Sequence, residues 1–139
     1  MAGKADEKRK KELIQKMQKA RGYMLGPWLY LTEKDVGFME AYNNLYERGL
    51  TEGKALPAKF REFIAIGILS YRGLGDAVYQ HCKRALRLGA SKRELLEALE
   101  SAMIPGGTPT MALGLQALAR IEEEEKKEKK KTARLRNPD

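Results

Sequence analysis

The sequence has few of the residues that build covalent cross-links or metal sites. Its 139 residues include one cysteine and one histidine, and aromatic residues make up 7% of the chain. A single cysteine excludes an internal disulfide and any Cys-x-x-Cys redox pair. One cysteine with one histidine cannot supply the thiolates and imidazoles of a structural zinc site. We therefore expect no metal site, and no motif indicates a cofactor.

Long apolar runs are absent as well. Charged residues or glycine interrupt every hydrophobic block before the roughly 18 residues that a membrane span requires. The first residues, Met1 to Glu7, lead into a charged segment and not into an apolar signal segment. These features predict a protein that does not enter membranes, and a cytoplasmic location is the expectation.

Positive charge is abundant but confined to the ends of the chain. The net charge of +8 divides into +5 for residues 1–21, +1 for residues 22–119 and +2 for residues 120–139. The Lys-rich ends lack the interleaved aromatic residues on which nucleic-acid bases stack. A solvated helix face is the more common role of such charge runs, so we expect no nucleic-acid partner.

Hydrophobic residues recur at three- and four-residue spacing along most of the chain, which predicts an all-α fold with about six helices. We divide the chain into three segments. Residues 1–33 are a polar helix followed by an apolar link that contains Gly26-Pro27 and Trp28, residues 34–118 are a helical core, and residues 119–139 are a charged helical extension or tail.

Two helices of the predicted core form an antiparallel hairpin. The first opens at Pro57 and is almost wholly apolar from Phe63 to Leu69, which predicts a buried central helix. The second, at residues 76–88, ends at Gly89. A further helix starts after Ser91, which has capping-box spacing to Glu94.

Glu62 and His81 are the pair of residues in this hairpin that point to chemistry. They lie eleven residues before and eight residues after Gly73, a mismatch of only about one helical turn, so their side chains can meet. A carboxylate beside an imidazole fixes the tautomer of the ring and favours proton transfer near neutral pH. A lone histidine on a helix is nevertheless more often structural than catalytic.

Other residues near the hairpin have more than one possible role. Cys82 follows His81 directly and points about 100° away around the helix, which favours a small buried hydrophobe over a nucleophile. Tyr71 and Tyr79 are either core residues or pocket lining. The nearby cations with the charge to hold a substrate carboxylate are Lys59, Arg61 and Arg72.

The order of these motifs resembles the carboxymuconolactone decarboxylase family, which includes the alkylhydroperoxidase D-like proteins. The resemblance covers roughly residues 34–118 and rests on Leu56-Pro57-Ala58-Lys59-Phe60-Arg61-Glu62, on His81-x-x-x-Ala85-x-x-x-Gly89-Ala90-Ser91 with Glu94-Leu95-x-Glu97-Ala98-Leu99, and on Gly106-Gly107-x-Pro109. It implies a helical domain that assembles into trimers or hexamers, with sites near the subunit interfaces. The apolar link would fit such an interface.

The peroxidase branch of this family carries a relay of one glutamate, two cysteines and one histidine. The glutamate and histidine of that relay fall on Glu62 and His81, whereas the two cysteines fall on Leu74 and Ala77. These residues cannot perform dithiol chemistry. Hydroperoxide reduction through Cys82 alone, with an outside reductant, remains an alternative.

The decarboxylase branch also lacks the cysteine pair and resembles this chain in its histidine. The resemblance implies acid–base chemistry on a small organic acid or lactone, of the decarboxylation type, with His81 as acid or base and Glu62 as its orienting partner. Residues that would line the pocket are Tyr71, Leu74, Ala77 and Cys82. A non-catalytic oligomeric protein with the same fold is the remaining alternative.

Overall fold

The structure, a computed structural model, describes residues 2–51 and 55–136. Within these residues the backbone forms α-helices and one π-helical turn, Glu47–Thr51, with no strand, so the all-α prediction is confirmed. The seven α-helices are α1 (Ala2–Arg21), α2 (Gly26–Lys34), α3 (Val36–Tyr46), α4 (Ala58–Tyr71), α5 (Gly75–Arg87), α6 (Lys92–Gly106) and α7 (Thr108–Arg136).

The apolar link of the sequence interpretation is itself a helix, α2. Pro27 lies in the first turn of α2, where its missing N–H removes no helical hydrogen bond. The Thr32 hydroxyl donates to the carbonyl oxygen of Trp28 at 2.7 Å. Gly26-Pro27 therefore begins a helix as well as separating it from α1. This additional helix is the reason that the described residues form seven α-helices and not about six.

The chain divides into two compact units, Met1–Leu56 and Pro57–Asp139. The sequence interpretation placed its boundaries after residues 33 and 118 instead. Residue 118 lies inside α7, which runs without a break from Thr108 to Arg136. Residue 1 and residues 137–139, at the outer ends of the first and third predicted segments, lie outside the described residues.

The N-terminal unit has a small core of its own. Leu13 and Met17 of α1 pack with Val36 and Met39 of α3. Trp28 joins this cluster from α2, and its ring stacks on a tyrosine of α3, Tyr42, with centroids 4.8 Å apart. Trp28 is therefore covered within this unit.

The C-terminal unit has the larger core, built by α4 to α7. Its fully buried side chains include Ile66 of α4, Val78 of α5, and Leu95 and Leu99 of α6. Helix α7 adds Ile121, which is also buried. Local signals in the sequence set the ends of these helices.

The boundary between α5 and α6 follows those signals closely. Gly89 has a positive φ of 91°, a conformation that glycine adopts without steric cost, directly after α5. The Ser91 hydroxyl accepts from the N–H of Glu94, and the Glu94 carboxylate accepts from the N–H of Ser91. The predicted capping box is therefore confirmed.

The predicted burial of the apolar helix holds for one of its faces only. One face of α4 is buried and carries Glu62, Ile66 and Ser70, whereas Ile64 and Ile68 on the other side are each 55% exposed. The helices α5, α6 and α7 pack against α4, and the exposure of Ile64 and Ile68 shows that they leave one face of it uncovered. An apolar surface remains on the C-terminal unit.

Candidate functional site

The α4–α5 hairpin positions the two residues that the sequence singled out. Its turn passes through Gly73, which has a φ of 75°, and α5 begins two residues later. Because the two helices run antiparallel, Glu62 near the start of α4 faces the middle of α5, where His81 lies.

Glu62 and His81 are in hydrogen-bond contact. The distance from His81 Nδ1 to Glu62 Oε2 is 2.5 Å. Glu62 is fully buried, and His81 is 7% exposed. A buried imidazole held by a carboxylate has a fixed ring orientation, which is the first requirement of a proton carrier.

A third side chain, Arg84, completes the cluster. Its Nη1 donates to Glu62 Oε1 at 2.6 Å, and the residue is 4% exposed. The two oxygens of one buried carboxylate are thus divided between an imidazole and a guanidinium. Burying the carboxylate is tolerable because a cation and hydrogen bonds compensate for lost hydration.

The sequence interpretation did not single out Arg84, although a signal was present. Arg84 follows His81 by three residues, so both lie on the same face of α5. A buried glutamate facing a histidine requires a cation nearby, and Arg84 is the basic residue at that spacing.

The cations that were singled out lie elsewhere or play other roles. Lys59 forms an ion pair with Glu94 at 2.8 Å, which ties the first turn of α4 to the first turn of α6. Arg72 is exposed in the turn after α4, and Arg61 is half-buried on α4.

Cys82 is buried in the core of the C-terminal unit, in the cluster that contains Ile66 and Val78. Burial, with a smaller contribution from the negative charge of Glu62, raises the pKa of the Cys82 thiol to about 12. The thiolate is the nucleophilic form of cysteine, so this environment suppresses its reactivity.

The remaining predicted pocket residues are dispersed around the hairpin. Tyr71 is 70% exposed at the end of α4 and lies on the side away from Glu62. Leu74 is 42% exposed at the start of α5, and Ala77 is half-buried on the first turns of that helix. The structure thus brings Glu62 and His81 together but does not gather all six predicted residues around one hollow.

Tyr71 lines an apolar groove that was not foreseen. The groove has a volume of about 380 Å³ and is lined by residues of α4 and α6: Phe63, Ile64, Gly67, Ile68, Tyr71, Ala102, Pro105 and Gly106. Neither Glu62 nor His81 is among its lining residues, since Glu62 lies on the opposite face of α4 and contacts His81 of α5 there.

Within residues 2–51 and 55–136, no group of three or more His, Cys, Asp or Glu side chains is arranged to hold a metal ion. Across the same ranges, no helix combines the length and apolar character that crossing a membrane requires.

Known proteins share both the sequence pattern and the fold. The sequence profile of the carboxymuconolactone decarboxylase family matches residues 37–120, a range that contains Glu62, His81 and Arg84. An uncharacterized protein of Cupriavidus necator is 32% identical over 81 residues, which span 58% of this chain and 71% of that protein.

Two crystal structures have the same arrangement of helices. A protein of Burkholderia xenovorans LB400, named as a carboxymuconolactone decarboxylase, superposes with a TM-score of 0.74 at 19% identity, covering 88% of this chain and 98% of that one. A carboxymuconolactone decarboxylase family protein of Legionella pneumophila gives 0.61 at 23% identity, covering 86% and 96%. At these identities the likeness shows the fold, and together with the profile match it establishes that the chain belongs to the carboxymuconolactone decarboxylase family.

Proposed function

We propose that the protein catalyses acid–base chemistry on a small organic acid or lactone, with decarboxylation as the type reaction. His81 carries the proton and Glu62 orients its ring. The observation that carries this proposal is the buried 2.5 Å contact between His81 Nδ1 and Glu62 Oε2. Membership of the family supports the reaction type.

The proposed reaction has two requirements. When a carboxylate leaves a lactone as CO₂, the electron pair of the broken carbon–carbon bond delocalises towards the lactone carbonyl, and a carbon atom then takes up a proton. The protein must stabilise that charge and supply the proton from a fixed position. With Nδ1 directed at Glu62, Nε2 is the ring nitrogen that takes up a proton from water and passes it to the substrate carbon.

A thiol mechanism has less support. Hydroperoxide reduction through Cys82 would need a thiolate that peroxide can reach, whereas this thiol is fully buried and its pKa is raised to about 12 by burial. Leu74 and Ala77 stand where the peroxidase branch of the family has its cysteines. We therefore do not assign a peroxidase function.

We also propose that the protein acts as a homo-oligomer, a trimer or a hexamer. The support for this is the exposed apolar face of α4, where Ile64, Ile68 and Tyr71 flank the groove. Exposed apolar patches of this kind often mark contacts between proteins.

The function is tested by measuring CO₂ release from carboxymuconolactone by the wild type and by His81→Ala, with Cys82→Ala as the neighbouring control. We expect His81→Ala to lower the rate by at least about 10²-fold, the usual contribution of a positioned proton carrier, and Cys82→Ala to retain it. Circular dichroism would verify that both variants are folded.

Two results would contradict the proposal. One is unchanged decarboxylation by folded His81→Ala. The other is turnover of cumene hydroperoxide with dithiothreitol that Cys82→Ala abolishes and His81→Ala retains.

A further inference from the structure

The contact between Glu62 and His81 is compatible with two arrangements of one proton. In the first, Glu62 is ionised and His81 Nδ1 donates its proton to Oε2. In the second, Glu62 is protonated and Nδ1 accepts, which leaves the ring proton on Nε2. The 2.5 Å separation by itself fits both. Only the first leaves Nε2 with the lone pair.

Arg84 distinguishes these two arrangements. Its guanidinium is always charged, and Nη1 lies 2.6 Å from Oε1, the carboxylate oxygen that His81 does not use. With Glu62 fully buried and Arg84 4% exposed, water screens this interaction little. A fixed positive charge at that distance favours the ionised carboxylate over the neutral acid.

We infer that Arg84 is a positioning residue that keeps Glu62 ionised and thereby holds the His81 proton on Nδ1. This inference rests on the proposed function for its catalytic meaning, since it defines which ring nitrogen faces the chemistry. Arg84 acts through Glu62 and is not itself a proton donor to substrate.

The protonation of the His81 ring can be measured directly, because the chain has few competing signals. His81 is the single histidine of the chain, so the imidazole ¹⁵N signals of a labelled sample belong to one residue. Protonated and unprotonated ring nitrogens have well-separated chemical shifts. The measurement needs no substrate, so it is independent of any enzyme assay.

The experiment compares the wild type, Arg84→Met and Arg84→Lys at one pH. We expect the wild-type spectrum to show a protonated Nδ1. In Arg84→Met the carboxylate loses the Arg84 guanidinium, so we expect Glu62 to take up a proton and the ring signals to change to those of a proton on Nε2 alone. A ring that takes up a second proton instead would overturn the inference, because Glu62 would then stay ionised without Arg84. Arg84→Lys restores the positive charge and is expected to return the signals towards the wild-type pattern.

Arg93→Met is the matched control, because Arg93 pairs with Glu97 on the exposed face of α6. It should leave the His81 signals unchanged. A wild-type spectrum with the proton on Nε2 alone would overturn the inference even if Arg84→Met failed to fold. Unchanged signals in folded Arg84→Met would overturn it too. An inactive protein with a protonated Nδ1 would contradict the proposed function and leave this inference intact.

Discussion

His81 and Glu62, nineteen residues apart in the sequence, form a buried hydrogen bond of 2.5 Å between adjacent antiparallel helices. The sequence predicted this encounter from the length of the hairpin alone. The structure adds that the second carboxylate oxygen is held by Arg84, and this has a consequence for stability.

Glu62→Gln should lower the free energy of unfolding by about 3 kcal/mol or more, because it removes the buried carboxylate that pairs with the Arg84 guanidinium. Glu97→Gln, which removes an exposed partner of Arg93, should leave it nearly unchanged, because water screens the pair. Urea unfolding followed by circular dichroism measures both. Adding Arg84→Met to Glu62→Gln should recover part of the loss, and a further additive loss would contradict the pairing.

Cys82 should be inert towards iodoacetamide in the folded protein. With a pKa of about 12, only about one thiol in 10⁵ is ionised at pH 7. Burial also keeps the reagent away from the sulfur atom. Mass spectrometry should find no adduct after a treatment that labels the same residue completely in urea. Rapid, complete labelling of the native protein would show that the thiol is accessible.

Gly114→Ala should destabilise the C-terminal unit by about 1–3 kcal/mol. A methyl group at this position of α7 would overlap Leu99, which is fully buried on α6. Gly75→Ala is the control, since its added methyl would meet only Leu113, at an ordinary 3.6 Å. Comparable unfolding temperatures for the two variants would mean that α6 and α7 accommodate the added methyl group without loss of stability.

The Lys59–Glu94 ion pair should make stability depend on acid pH. The hydrogen bond from Lys59, and then the N–H of Ser91, lower the pKa of Glu94 from its ordinary 4.5. A carboxyl whose pKa is lower in the folded state adds stability above the unfolded value and loses it as the pH falls through the folded value. Unfolding temperature should therefore fall less steeply below pH 5 in Glu94→Gln and in Lys59→Met than in the wild type. Parallel curves for all three would exclude this contribution.

The apolar face of α4 should be needed for self-association. Ile68→Asp places a charge beside the groove, where Ile68 is 55% exposed, and should convert an oligomer to smaller species. Leu135→Asp is the control, because Leu135 is exposed on the charged part of α7, away from the groove. Light scattering coupled to size-exclusion chromatography gives the mass. An unchanged oligomer in Ile68→Asp would place the contact elsewhere.

The sequence predicted the features of the fold that depend on neighbouring residues. Ser91 and Gly89 mark helix ends through hydrogen bonds and backbone angles that local sequence determines. Gly26-Pro27 was ambiguous, because the same residues that end one helix can open the next. The existence of α2 was therefore missed.

The features that depend on packing between helices were harder to predict. A charged residue such as Arg84 usually faces solvent, and its burial follows only once the register of α4 against α5 is known. The exposure of Ile64 and Ile68 has the same origin, since an apolar pattern does not state how many neighbours cover a helix. Glu62 and His81 could be predicted to meet because the short turn between α4 and α5 fixes the register of the two helices close to the turn.

Because Trp28 stacks on Tyr42, its fluorescence is sensitive to the packing of α2 on α3. Trp28 is the single tryptophan of the chain and belongs to the unit Met1–Leu56, whereas the single histidine belongs to Pro57–Asp139. Tryptophan emission therefore reports the melting of the first unit, and imidazole resonances report the second. The chain carries one natural probe in each unit, so the unfolding of each can be followed without introducing any label.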